Sequence, residues 1–167
     1  MKRYLPILAS AALLTGCGEN TDLAETPYEE PRAATTPIVV KDEKDGSFTV
    51  DAKFDPGATF QNASANEATF EFTARGEWSF ATGAGMLSPS GADARANPNF
   101  LLPGARSFAM VSKREDGTVE FAGEHCIIKL KPKETVSFAM NEVMGSFGDN
   151  RGALSVKWSA KSSTPDK

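Results

Sequence analysis

The residues best suited to chemistry lie near the end of the chain, in Asn141-Glu142-Val143-Met144-Gly145-Ser146-Phe147-Gly148-Asp149-Asn150-Arg151-Gly152. Glu142, Ser146, Asp149 and Asn150 offer oxygen donors there. Gly145, Gly148 and Gly152 allow sharp backbone turns, so main-chain carbonyls can also point inward. Calcium takes about six to eight oxygen ligands from carboxylates, amides, backbone and water. Two carboxylates and an amide in one short loop supply part of such a shell. The loop contains no Cys or His, which argues against zinc or copper. The same residue types also favour a plain Gly/Asn/Asp turn, and both readings stand at this level.

A loop of this kind needs a scaffold, and the scaffold is written in a two-residue rhythm. Phe48, Val50, Ala52 and Phe54 alternate with mostly polar neighbours, as do Phe70, Phe72 and Ala74. Val136, Phe138 and Met140 repeat the pattern, then Leu154, Val156 and Trp158. Alternation marks half-buried strands. Asp116-Gly117, between Lys113-Arg114 and Val119 to Phe121, predicts a hairpin. A strand is expected to end near Asn141 and another to begin after Gly152. The only convincing apolar run of another kind lies at the start of the chain. The expected class is all-β, a β-sandwich or jelly roll. Thr82 to Ala105 breaks the rhythm. It is rich in Gly, Ala, Ser, Asn and Pro, with apolar anchors at Met86-Leu87 and Phe100 to Leu102. A loop this long is either functional or a surface insertion.

Enzyme signatures are missing. There is no Gly-x-Ser-x-Gly, His-Glu-x-x-His, Cys-x-x-Cys or phosphate-binding Gly loop. His125 is the only histidine and lies in an apparent strand, where a structural role is expected. A catalytic carboxylate pair is defined by spatial separation, and nothing in the sequence singles one out. The chain is read as non-catalytic. Cys126, beside Ile127 and Ile128, reads as a buried structural thiol. Asn62-Ala63-Ser64 fits a glycosylation pattern by chance. Lys129, Lys131 and Lys133 are expected to share a solvated strand face. Trp78 and Trp158 lie in alternating patterns, which favours core packing over a sugar-stacking platform.

The first residues give an address. Lys2 and Arg3 precede an apolar run from Tyr4 to Leu14, followed by Leu14-Thr15-Gly16-Cys17. This is the order of a secretory signal peptide, and the run is shorter than the roughly 20 residues a bilayer-spanning helix needs. The last four residues resemble the lipobox of bacterial lipoproteins, which implies cleavage after residue 16 and acylation of Cys17. Gly18, rather than Asp, implies the outer membrane by resemblance to the Gram-negative sorting rule. Residues 17–37 are polar, acidic and Pro-containing, and read as a disordered tether. The β-sandwich is expected over residues 38–160 and a polar tail over 161–167, the polar composition beginning at Ser159. Cleavage moves the formal charge from −4 to −6, since Lys2 and Arg3 leave and no acid does. An acidic chain without a basic run is a poor nucleic-acid binder.

From about Phe70 to Trp158 the chain resembles the calcium-dependent galactose-binding lectins of bacteria, the PA-I type. The resemblance is carried by Ala74-Arg75-Gly76-Glu77-Trp78-Ser79-Phe80, Phe108-Ala109-Met110-Val111, the Asn141 to Gly152 loop and Ala153-Leu154-Ser155-Val156. Leu102-Pro103-Gly104-Ala105 resembles the wider galactose-binding-like relatives. The resemblance implies a small jelly-roll sandwich with one calcium ion, held by the side chains of Glu142, Asp149 and Asn150 and by the carbonyls of Ser146 and Phe80. Sugar hydroxyls would complete the ion's shell, so Glu142 and Asp149 also count as carbohydrate-binding residues. Three departures matter. Glu142 stands where the family has Asp, and Asp149-Asn150 where it has an Asn pair. The region from Arg95 to Asn99 also lacks the His and Gln that contact galactose in the family, leaving Arg95, Asn97 and Asn99 as candidate sugar contacts. The reading is a lipid-anchored, calcium-dependent carbohydrate-binding domain whose partners are the membrane and a glycan or envelope polysaccharide. Its rival is a structural or protein-interaction envelope lipoprotein that keeps the fold and binds no sugar.

Overall fold

The computed structural model describes residues 36–161. The expected signal peptide, the acylated Cys17, the tether up to residue 35 and residues 162–167 lie outside them. The strands are β1 (Ile38–Val40), β2 (Asp45–Asp51), β3 (Ala58–Asn62), β4 (Ala68–Ser79), β5 (Met110–Arg114), β6 (Val119–Phe121), β7 (His125–Leu130), β8 (Thr135–Met140) and β9 (Arg151–Lys161). They form a five-stranded sheet in the order β1-β3-β8-β5-β6 and a four-stranded sheet in the order β2-β9-β4-β7. Every pairing is antiparallel except β1 with β3. The expected all-β sandwich is the observed architecture.

The alternating apolar residues become the facing layers of the two sheets. Phe70, Phe72 and Ala74 of β4, Val136, Phe138 and Met140 of β8, and Leu154, Val156 and Trp158 of β9 are all buried in one core cluster. Aromatic rings bind the layers at its centre. Phe60 meets Phe72 at 5.1 Å between ring centroids and Trp158 at 5.3 Å, and Phe72 meets Phe138 at 5.0 Å. The two Phe60 contacts are edge-to-face and the Phe72–Phe138 pair is tilted; aromatic pairs add about 0.5–1.5 kcal/mol each beyond area burial. Both tryptophans are core residues, as their spacing predicts.

The Asp116-Gly117 hairpin joins β5 to β6, and its turn is closed by the Thr118 N–H donating to Asp116 Oδ1 at 2.9 Å. The other expectations fare unevenly. On β7 only Lys129 is part of the solvent-facing row, whereas Lys131 and Lys133 fall in the turn to β8. β9 continues through Ser159 and Ala160 to Lys161, past the start of the polar composition. Ser159 and Lys161 sit at outer-face positions, where polar side chains belong, and Ala160 packs on the core. Asn62 is no surface acceptor. It is fully buried, and its amide nitrogen donates to the carbonyls of Leu130, Lys131 and Asn66.

Apart from the β5–β6 hairpin, each connection between consecutive strands crosses from one sheet to the other. Three crossings meet at one end of the sandwich: residues 52–57 after β2, 80–109 after β4 and 141–150 after β8. The Ala52 N–H donates to Gly152 O at 3.2 Å, Leu101 N–H to Glu142 O at 3.0 Å, and Phe108 N–H to Asn141 O at 2.8 Å. That end carries the candidate site.

Candidate functional site

The long connection after β4 contains no strand, yet it is tightly held. Isolated antiparallel bridges pair Trp78 with Leu87, Arg95 with Arg106 and Phe100 with Val143. The principal clamp is Asn141, which follows the last residue of β8. Its fully buried amide accepts from Leu102 N–H at 2.8 Å and donates to Leu102 O at 3.1 Å and Arg106 O at 3.0 Å. The sequence marks Asn141 only as a strand end. A further signal lies just before it. In Phe138-Ala139-Met140 the position that should be polar is Ala139, and Ala139 is fully buried.

A second device holds the same connection against the core. Phe108 adopts a left-handed backbone, φ 60°, which costs a non-glycine residue about 1–2 kcal/mol. Its N–H is taken by Asn141 O, and its carbonyl accepts from Trp78 Nε1 at 2.9 Å. Its ring stacks on Phe80 with centroids 4.0 Å apart and planes 9° from parallel. Phe80, expected to lend a carbonyl to calcium, therefore stands beside the clamped connection with its side chain engaged.

The loop after β8 divides its oxygen donors between inside and outside. A 3-10 turn, Phe147–Asp149, drives Phe147 into the core. Glu142 is 6% exposed and Asn150 fully buried, whereas Ser146 and Asp149 face solvent. Asn150 Nδ2 donates to Glu142 Oε2 at 2.7 Å and to Ala52 O at 2.9 Å. Two acceptors fix the amide nitrogen, so the amide cannot be reversed without setting oxygen against oxygen. Asn150 Oδ1 is left buried with no hydrogen-bond donor. An orphaned amide oxygen beside a buried carboxylate suits a hard cation, which needs acceptors only. No cluster of three His, Cys, Asp or Glu side chains able to hold a metal occurs among the described residues, so any ion here relies on amide, backbone and water oxygens as well.

Arg95, Asn97 and Asn99 belong elsewhere. All three are exposed. Asn97 Oδ1 accepts from Asn99 N–H at 2.9 Å, a local turn, and Arg95 Nη1 donates to Gly104 O at 2.7 Å. Arg95 lines a surface groove of about 490 Å³ with Asp93, Ala94, Ala105, Arg106 and Phe121. None of Glu142, Ser146, Asp149 or Asn150 lines it.

The remaining reactive types are engaged on the outer face of the four-stranded sheet or along β7. His125 Nε2 pairs with Glu71 Oε1 at 2.7 Å, and Lys161 contacts the other oxygen of the same carboxylate. These contacts, Lys161 first and then His125, hold Glu71 below its ordinary carboxylate value. Burial pushes the half-buried Cys126 thiol up to about 12, helped by the charge of Glu120.

No protein-family model and no curated protein matches this chain. Among solved structures it is similar to the EclA N-terminal domain, a PllA-like lectin, with 18% identity and a TM-score of 0.47 over 69% of this chain and 95% of that one.

Proposed function

We propose that this protein is an outer-membrane lipoprotein whose β-sandwich binds a calcium ion at the loop after β8 and, through the ion, the hydroxyls of a glycan, without catalysis. The observation that carries the reading is the buried, donor-less Asn150 Oδ1 held next to the buried Glu142 carboxylate. In this reading Asp149, exposed on the same turn, would add a carboxylate, with the carbonyls of Ser146 and Phe80 as further donors. A calcium ion there would supply a Lewis-acidic centre for a vicinal diol. The chain's own residues would fix its position through the 3-10 turn and the Asn150 bonds to Glu142 and to Ala52.

Anchoring is part of the proposal. The Leu14-Thr15-Gly16-Cys17 sequence supports acylation of Cys17. Each buried methylene contributes about 0.8 kcal/mol, and stable attachment takes about two chains. At about 3.3 Å per extended residue, the tether from Gly18 to Pro37 reaches several nanometres, which would restrict the domain to ligands of the envelope or of whatever touches it. Labelled palmitate should be incorporated into the chain in a Gram-negative host and lost in Cys17→Ser.

A second reading is favoured by a specific contact. The Asn150 amide donates directly to both Glu142 and Ala52, tying the β8–β9 loop to the segment after β2, which is what a purely structural envelope protein would need. Thermal denaturation with calcium and with chelator separates the two. A rise in Tm with calcium, abolished in Glu142→Ala/Asp149→Ala, supports the first reading, and a glycan array with and without chelator then tests the sugar. Calcium leaving Tm unchanged in the natural chain would sink it in favour of the structural role.

A further inference from the structure

We propose that the groove between the long connection and β6 is a separate, calcium-independent site for a carboxylate-bearing sugar ring, a hexuronate of an acidic saccharide. Its volume, about 490 Å³, falls in the range of small-molecule pockets, about 300–1,000 Å³.

The groove gathers two guanidinium groups against one carboxylate. Arg95 uses one N–H on Gly104 O and has no other protein acceptor among the described residues. Arg106 Nη2 donates to Gly91 O at 3.3 Å, and its Nη1 reaches Asp93 at 3.6 Å. Asp93 is fully exposed and held by that long contact alone, so an incoming carboxylate can displace it. Arg106 Nε is buried and has no acceptor. That atom is shielded from solvent, so an incoming anion meets the outer nitrogens of the 42% exposed Arg106 side chain and of Arg95, and a carboxylate is the acceptor whose two oxygens match a guanidinium fork.

The opposite wall supplies the complement for a ring. Phe121 is 47% exposed on the edge strand β6. Its ring lies across Gly123, where a Cβ would fall 2.6 Å from ring atom Cε1. Gly123 thus allows the ring to lie down on the backbone, leaving it to pack against the C–H face of a pyranose by dispersion. Charged fork at one side and apolar face at the other is the pattern a hexuronate presents. The chain's overall negative charge gives no long-range attraction for an anion, so recognition is local, and moderate salt should weaken it.

The test is titration of the full domain with a galacturonate oligosaccharide in the presence of chelator, followed by amide chemical shifts. The expected result is saturable shifts at Ala94, Arg95, Ala105 and Phe121, with affinity falling at least about tenfold, or about 1.4 kcal/mol, in Arg95→Gln and in Arg106→Gln. A neutral oligosaccharide of the same length should leave those amides unmoved. Phe121→Leu, which keeps both arginines, separates ring packing from charge and should weaken binding without abolishing it. Equal shifts with the neutral sugar, or with acetate or a capped acidic peptide, would overturn the assignment, as would shifts that survive both arginine substitutions. Absence of shifts at millimolar saccharide would also overturn it. Because chelator is present throughout, a failed calcium site leaves this outcome untouched.

Discussion

At the scale of single residues, the structure turns on buried amides. Asn62, Asn141 and Asn150 are all fully buried, and each joins segments distant in sequence. Asn141→Ala would leave Leu102 N–H, Leu102 O and Arg106 O without their partner, and an unsatisfied buried group costs about 1–3 kcal/mol. Urea denaturation should show a loss of at least that size, and amide hydrogen exchange should show the long connection opening before the sheets. Cys126 offers a simpler check. With its thiol raised to about 12 by burial, almost no thiolate exists at neutral pH. Iodoacetamide at pH 7.5 should leave native Cys126 unmodified and label it fully in denaturant, as read by intact mass. The Cys126 role was legible from its apolar neighbours, whereas those of the buried amides were not. Asn62 stands in the sequence only as a chance glycosylation pattern and Asn141 only as a strand end, because hydrogen-bond partners come from segments that only folding brings together.

Strands carry the next level, and here the sequence spoke clearly wherever one face met the core and the other met water. β4, β8 and β9 follow the alternation closely. The exception is the end of β8, where Ala139, at an outward position between Phe138 and Met140, is buried too. Gly152, second residue of β9, has φ 85°, and a Cβ there would lie 2.8 Å from Glu77 O. Gly152→Ala should destabilise the domain by at least the roughly 1–2 kcal/mol of left-handed strain, seen as a lower urea midpoint. Across β4, β7 and β9, Glu71 is shared by Lys161 and His125. Its folded pKa lies below the ordinary 4.5, so it binds a proton less readily when folded. Its contribution is therefore present above the unfolded value and lost as pH falls through the folded one. Glu71→Gln should lower Tm slightly at pH 7, where this solvent-screened contribution is present, and the curves of the two proteins should converge as pH falls through the carboxylate range.

For the molecule as a whole, residues 36–161 close their own hydrophobic core. A chain beginning at residue 36 should accordingly melt cooperatively at the same Tm as the unacylated Cys17→Ser protein. A calcium ion bound only to the folded state would stabilise it by about 2.7 kcal/mol at a hundred times its Kd, a shift that differential scanning calorimetry reads directly. One connection touches both candidate binding regions. Residues 80–109 reach the β8–β9 loop through Phe100, Leu101 and Phe108, and line the groove through Arg95 and Arg106.

What the sequence determined by itself was the class of fold and the place of most strands, since side-chain alternation is a local consequence of putting one face of a sheet against a core. It also concentrated oxygen donors in one loop. Only the tertiary structure decided which of those donors are buried, sending Glu142 and Asn150 inward and Asp149 and Ser146 outward, because the 3-10 turn must place Phe147 in the core. It likewise parted Arg95 from that loop and set it beside Arg106 and Phe121. That grouping depends on how a long irregular connection is pinned by Asn141, and the partners of a buried amide are not written in the residues next to it.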